Sequence, residues 1–333
     1  MSVELTGNRP VAAPISYRVQ DLEALNRVIS GSAFEVIQPR PGLLDASVSH
    51  AKAGELSVDQ GNINLPMRVR GSLDPHRYTI GLFKPGPEAA YNGHPVGSAT
   101  LLWFAPGGEL DGHHREAHQW TAVTLPAEWM ATMAAAARRP RNVFSLVACR
   151  ALRPEPDDLR DIQWATDAIV QGNPSNASQL VDEGWLASSV RDSLSASYSA
   201  LDEPVVRETP HTIAQFRIAR QAERHMRERL AEPIPIDELC ITLRVSRRYL
   251  EYAFRSAFGI SPSRYARLLR LHEVRRRLRQ PGADTTVTQE ALRMGFIHLS
   301  QFAIQYKKIF GESPSATLGG ERKRPASKSL SAS

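Results

Sequence analysis

Cysteine is almost missing from this sequence: Cys149 and Cys240 are the only two among 333 residues. Two thiols so far apart in the chain make neither a zinc quartet nor a disulfide framework, and such a count suits a reducing cytosol. No apolar run approaches the roughly 20 residues that a bilayer span requires. The opening residues, MSVELTGNRP, have neither a basic lead nor an apolar stretch, so no secretory signal is expected. A nucleophile-elbow G-x-S-x-G is absent, and so is a glycine-rich phosphate loop. Esterase chemistry and ATP use are therefore not expected.

Charge is plentiful but unevenly placed. Residues 210–333 hold 23 Lys+Arg and 11 Asp+Glu, a net of +12, whereas 1–209 hold 18 against 24, a net of −6. A strongly basic segment joined to an acidic one is the electrostatic footprint of a nucleic-acid-binding module attached to a partner with another task. A basic membrane-surface helix would need a continuous apolar face opposite its arginines. Proline and glycine instead break the basic segment into short helices, which favours nucleic acid.

Residues 1–150 carry short apolar or alternating runs separated by Gly and Pro. RYTIGLFKPG (77–86), GSATLLWFAPGG (97–108) and QWTAVTLP (119–126) read as strands, and the region as a β-rich sandwich or barrel. Residues 151–202 change to helical spacing, with Asp157 or Asp158 and Asp182 as candidate N-caps. The polar, proline-bracketed stretch 203–211 reads as a linker. From 212 to 319 the pattern is helical: 214–230, 236–243, 246–258, 262–279, 287–294 and 298–310. The tail, 320–333, is low in complexity and is expected to be disordered.

The helical region contains a repeat. FGISPS (258–263) and FGESPS (310–315) lie 52 residues apart, and Leu250 and Phe254 correspond to Phe302 and Tyr306 at the same offset. Each copy consists of a short helix, a turn, a second helix and an FG-x-SPS stop, with one long helix joining them. That is a double helix-turn-helix. In each SPS, serine is placed to cap a new helix and proline to occupy its first position, where the missing N–H costs nothing.

These residues resemble the DNA-binding domain of the AraC/XylS family of regulators. The resemblance spans about 105 residues, from Ile213 to Leu318. It rests on L-x(6)-S-x(3)-L-x(3)-F-x(3)-FG-x-SP in the first copy and A-x(3)-GF-x(5)-F-x(3)-Y-x(3)-FG-x-SPS in the second. It implies a sequence-specific, effector-responsive transcription regulator that reads adjacent major-groove segments. The implied fold is α+β and multidomain: a cupin-like β-rich domain, a helical dimerisation segment (151–202), then the all-α double motif (212–319). The implied partners are double-stranded DNA, a small-molecule effector, RNA polymerase and a second copy of the chain. No cofactor or metal is implied, and the expected place is the cytoplasm, at the nucleoid. The sequence departs from the family at its first turn, where Arg244 stands in place of the usual glycine. Left-handed backbone would cost an arginine on the order of 1 kcal/mol, so that turn is expected to be relaxed or to use other angles.

Helical phase assigns the contact residues. With Leu250 and Phe254 facing the core, the first recognition helix turns Arg248, Tyr252 and Arg255 outward, with Glu251 beside them. Arg248 suits guanine O6 and N7, and Glu251 suits cytosine N4. Arg247 and Arg255 suit phosphates, which position without specifying. In the second copy Phe302, Tyr306 and Ile309 are core, and Ser300, Ile304, Lys307 and Lys308 face out with Gln301 and Ala303 at the edges. Ser300 and Gln301 can hydrogen-bond bases, while Ile304 or Ala303 suits a thymine methyl. His298 stands where an N-cap belongs, with a phosphate contact as its other role. The run Arg275, Arg276, Arg277 and Arg279 reads as a solvated face. Cys240 reads as a buried structural thiol.

Two further clusters lie in the β-rich region. His113, His114 and His118 with Glu116 have poor spacing for a metal site and read as a surface cluster on a polar loop. Trp103 and Trp120 are candidates to line an effector cavity, although strand aromatics more often form plain core. The competing function is a cupin-type metal enzyme with an accessory DNA-binding tail.

Overall fold

A computed structural model of the chain describes residues 13–28, 33–84, 89–136, 149–171, 182–199, 210–232 and 235–323. The chain divides into two compact units, one formed by 1–36 and 44–209, the other by 37–43 and 210–333. Among the described residues no helix is long and apolar enough to cross a membrane.

The first unit begins with β1 (Ile15–Val19), α1 (Leu22–Val28), β2 (Ala33–Ile37), β3 (Ala46–Ala53), β4 (Leu56–Ile63), β5 (Met67–Ser72) and β6 (Arg77–Phe83). It continues with β7 (Ala89–Tyr91), β8 (His94–Val96), β9 (Leu101–Phe104), β10 (Glu109–His114), β11 (His118–Pro126), α2 (Ala127–Ala136), β12 (Cys149–Leu152), α3 (Pro156–Gln171) and α4 (Glu183–Ser199). Its strands form two sheets, ordered β1-β3-β4-β11-β6-β9-β12 and β2-β5-β10-β7-β8, in which the recorded pairings are antiparallel. The three segments read as strands are β6, β9 and β11. The helices α1 and α2 were not anticipated, and β12 runs past the expected boundary at 150.

Alternation gives the larger sheet two faces. Val123 and Leu125 of β11, with Ile80 and Leu82 of β6, face α3 and α4 and meet Ile162, Ile169, Leu186, Val190, Leu194 and Tyr198. Burying side chains of this size stabilises by about 1.5–3 kcal/mol each, so the helix pair is held by the sheet it covers. Trp103 belongs to this core, against Tyr198 at 6.0 Å between ring centroids. Asp182 caps α4, accepting the Gly184 N–H at 3.1 Å. Asp157 and Asp158 lie in the first turn of α3 rather than at its cap. They favour the helix N-terminus through its dipole.

The histidine cluster is not a surface loop. His113 and His114 are on β10 and His118 opens β11, and all three are buried. The polar neighbours misled because GHHREAH contains a tight strand-to-strand connection whose turn residues are the polar ones.

The second unit holds α5 (Pro210–Glu228), α6 (Ile236–Leu243), α7 (Arg247–Phe258), α8 (Pro262–Arg279), α9 (Val287–Arg293), α10 (Leu299–Phe310) and α11 (Pro314–Lys323). The helix starts at Pro210, inside the segment read as linker, of which 203–209 lie outside the described residues. Helix α11 likewise runs four residues into the expected tail, and 324–333 lie outside the described residues. Phe254, Phe258 and Tyr265 form one aromatic cluster, with centroids 5.0–5.7 Å apart, and Phe296, Phe302, Tyr306 and Phe310 form another. The repeat of the sequence is thus a repeat of cores.

Candidate nucleic-acid interface and cavity

The first motif is α6, a turn and α7. Arg244 closes α6 at φ 53°, ψ 44°, and Val245 N–H donates to the Cys240 carbonyl at 3.0 Å. The turn is therefore not relaxed: arginine adopts the left-handed conformation that Gly295 takes in the second motif, at φ 77°. Ser246 then caps α7, accepting the Tyr249 N–H at 3.2 Å. In the second motif Thr286 caps α9 in the same way, through Gln289 N–H at 3.2 Å. His298 occupies the N-cap of α10 without a capping hydrogen bond from its side chain. Of the two SPS serines, Ser313 caps the next helix through Ala316 N–H at 3.1 Å, whereas Ser261 makes no such side-chain bond.

With Leu250, Phe254, Phe302 and Tyr306 buried, the opposite faces stand where helical phase places them. Arg247, Arg248, Tyr252 and Arg255 are exposed on α7, and Glu251 is half-buried. His298 precedes α10, and Ser300, Gln301, Ile304, Lys307 and Lys308 are exposed along it. Two of the cations have carboxylate neighbours: Arg247 lies 3.5 Å from Asp237 and Arg255 lies 3.9 Å from Glu251. Glu251 thus faces an arginine of its own helix. Ile297, in the turn before α10, is strongly exposed and was missed, because a turn residue has no helical phase to assign it.

The arginine run on α8 is not a solvated face. Arg275 is buried, 4.7 Å from the centre of the Phe310 ring and 3.3 Å from Glu312. Arg277 reaches Glu273 at 2.8 Å and Glu290 at 3.5 Å, and Arg279 approaches Glu312 at 3.9 Å. Only Arg276 of the four is exposed. Four arginines in five residues cannot all share one side of a helix, so some must turn inward, where acidic and aromatic partners meet them. Cys240 is half-buried rather than buried, and its thiol is pushed up, by burial first and by Asp237 second.

The first unit encloses a cavity of about 600 Å³ between its sheets. The inward rungs of the large sheet are graded along the strands. Ile63 and His118 form one rung, Gly61, Trp120 and Phe83 the next, then Asp59, Ala122 and Gly81, then Ser57, Thr124 and Thr79. His50 and Lys52 extend the third and fourth rungs. One end is therefore aromatic, and the other carries hydroxyls, with Lys52 and Arg77 beside the carboxylates of Asp59 and Asp74. The facing sheet is apolar where Phe34, Val36, Met67, Val69 and Leu110 line the space.

Two glycines seat the aromatic end. A Cβ on Gly61 would fall within the Trp120 ring, and one on Gly112 within the Tyr91 ring, so each ring lies directly on a neighbouring backbone. The Tyr91 hydroxyl and His114 Nε2 are 2.6 Å apart, and His114 stacks on His118 with centroids 3.5 Å apart and planes 3° from parallel. Burial pushes His114 down to about 2, helped by His118 and His113, and pushes His118 down to about 4. Both imidazoles are neutral at physiological pH. Hydrogen bonding to Asp59 at 2.6 Å instead raises His50. Among the described residues no three or more His, Cys, Asp or Glu side chains are placed to hold a metal ion.

Comparison with known proteins follows the helical unit. Residues 239–320 match a helix-turn-helix domain family. The chain is 33% identical over 102 residues to the "Probable thc operon regulatory protein" of Rhodococcus erythropolis, covering 30% of this chain and 31% of that one. It is 37% identical over 92 residues to the "XylDLEGF operon transcriptional activator" of Pseudomonas putida, covering 27% and 29%. The chain thus spans about three-tenths of the length of these curated relatives. A solved "probable AraC family transcriptional regulator" from Rhodopseudomonas palustris CGA009 is 36% identical, covering 33% of this chain and 99% of that one, with a TM-score of 0.31.

Proposed function

Through its last third the chain belongs to the AraC/XylS family of regulators, and from that premise we propose that it is a sequence-specific, DNA-binding transcription regulator. The observation that carries the reading is the pair of exposed, cation-bearing faces on α7 and α10, set on equivalent cores 52 residues apart. In this reading α7 and α10 enter adjacent major-groove segments. Arg248 reads a guanine, Tyr252 and Glu251 stand at the same edge, and Ser300 and Gln301 offer the second motif's hydrogen bonds. Arg247, Arg255, His298, Lys307 and Lys308 engage phosphates and hold the register.

The first unit, read as a cupin-like effector domain, takes a small amphiphilic molecule in its graded cavity. Helices α3 and α4 carry the exposed Trp164 and Trp185, 5.5 Å apart in edge contact, and serve as the surface on which two copies join. RNA polymerase is the further partner, and the cytoplasm, at the nucleoid, is the place of action. The reading assigns the chain no catalytic role.

The test compares two substitutions in the full chain against a selected target duplex and a random one. Arg248→Ala should weaken the target by about 1–3 kcal/mol and relax preference at one base pair. Lys307→Ala should weaken both duplexes alike and lower the salt slope by about one. Equal loss on both duplexes from Arg248→Ala would show the groove face to be misplaced.

A further inference from the structure

The centre of the second motif's outward face has no hydrogen-bonding group. Ile304 stands midway along α10 with 68% of its surface exposed. It occupies the position that Tyr252 holds in the first motif, where the side chain is also large and 58% exposed. One helical turn further on, Lys307 and Lys308 in the second motif and Arg255 in the first supply exposed positive charge. A single exposed apolar residue needs no explanation on an ordinary surface. Here the same site of both motifs carries a large exposed side chain, Tyr252 with its hydroxyl in the first and the wholly apolar Ile304 in the second, where cations flank it and draw the face on to phosphates.

A β-branched side chain in a helix holds essentially one χ1 rotamer. Ile304 therefore presents a fixed apolar surface to whatever lies beneath it. Among the features that base pairs expose in the major groove, the C5-methyl of thymine is the apolar one. Resting on the DNA-binding reading above, we propose that Ile304 is a specificity residue and that the second motif selects its half-site through a methyl group. The same contact accepts 5-methylcytosine, whose methyl stands at the same ring position. Methylation of a cytosine at that position would then strengthen binding without any change of sequence.

The experiment changes the DNA as well as the protein. The full chain selects its target from random duplexes, and the selected duplex is remade with thymine replaced by uracil at one position at a time. Uracil lacks only the methyl, so wild-type binding should weaken about fourfold at one or more positions in one half-site, the factor for one buried methyl-sized group. Placing a C·G pair there, 5-methylcytosine should bind about fourfold better than cytosine. Ile304→Ala should bind the thymine and uracil duplexes equally. The inference is overturned by wild-type affinity that ignores every uracil, or by Ile304→Ala that still tells thymine from uracil. It is also overturned if Ile304→Ala keeps full DNA affinity yet fails to activate purified RNA polymerase, which would give this face to a protein partner. If no sequence is selected at all, the DNA-binding reading falls first and this inference falls with it.

Discussion

Acid should loosen the first unit through the His114–His118 stack. His118 has an ordinary value of 6.5 and is held down to about 4, so below pH 6.5 the unfolded chain takes up a proton that the folded chain refuses. Stability is then lost as pH falls from about 6.5 towards 4. At pH 5 the difference comes to about 2 kcal/mol for His118, at 1.36 kcal/mol for each pH unit below the unfolded value. His114 loses in the same direction, while His50, raised by Asp59, works oppositely: its contribution is present at low pH and fades as pH rises. His118→Gln removes the contribution of His118 together with its part in lowering His114, while the remaining histidines are common to both proteins. All five tryptophans lie between Trp103 and Trp185, within the first unit, so their fluorescence reports that unit alone. Urea unfolding at pH 7 and pH 5 should show wild type losing about 2 kcal/mol more than His118→Gln over this interval. Parallel losses in the two proteins would refute a buried, neutral His118.

Arg244→Gly should stabilise the second unit by about 1 kcal/mol, because glycine enters left-handed backbone without the penalty that arginine carries; helical circular dichroism in urea would register it, and an unchanged or lowered midpoint would count against strain at that turn. Gly112→Ala should cost the first unit about 1–3 kcal/mol and displace Tyr91 from His114, as expected for overpacking against a ring. Tryptophan-detected unfolding measures the cost, and a neutral result would mean that the ring has room to move.

The second unit was legible because its information is local. Helix lengths, the Ser313 cap and the buried Leu250, Phe254, Phe302 and Tyr306 all follow from spacing within a dozen residues, and the 52-residue repeat supports one copy by the other. The start of α5 and the end of α11 were less legible, since polar residues suit a helix end and a linker equally. Arg275 was misread because its partners, Phe310 and Glu312, come 35 and 37 residues later, out of reach of any periodicity. The cavity was illegible for the same reason. Its graded rungs join β3, β4, β6 and β11, and only strand order reveals that Gly61 lies beneath Trp120 or that His114 faces His118. Alternation did identify β11, yet it could not say which of its two faces looked on to empty space.

Helix α8 is eighteen residues long, about 27 Å from end to end, and it is pinned at both ends. Tyr265 lies against Phe254 and Phe258 near its start, while Arg275, Arg277 and Arg279 are tied to Glu290 and Glu312 near its finish. Both motifs are thus fastened to one helix. On the reading proposed above, in which both motifs engage one duplex, each base pair inserted into a target would shift one half-site by about 3.4 Å along the duplex and swing it around the axis, away from the spacing that α8 sets. That same reading lets target sites drift by base substitution, a little affinity at a time, whereas an insertion or deletion costs the contacts of a whole motif at a single stroke.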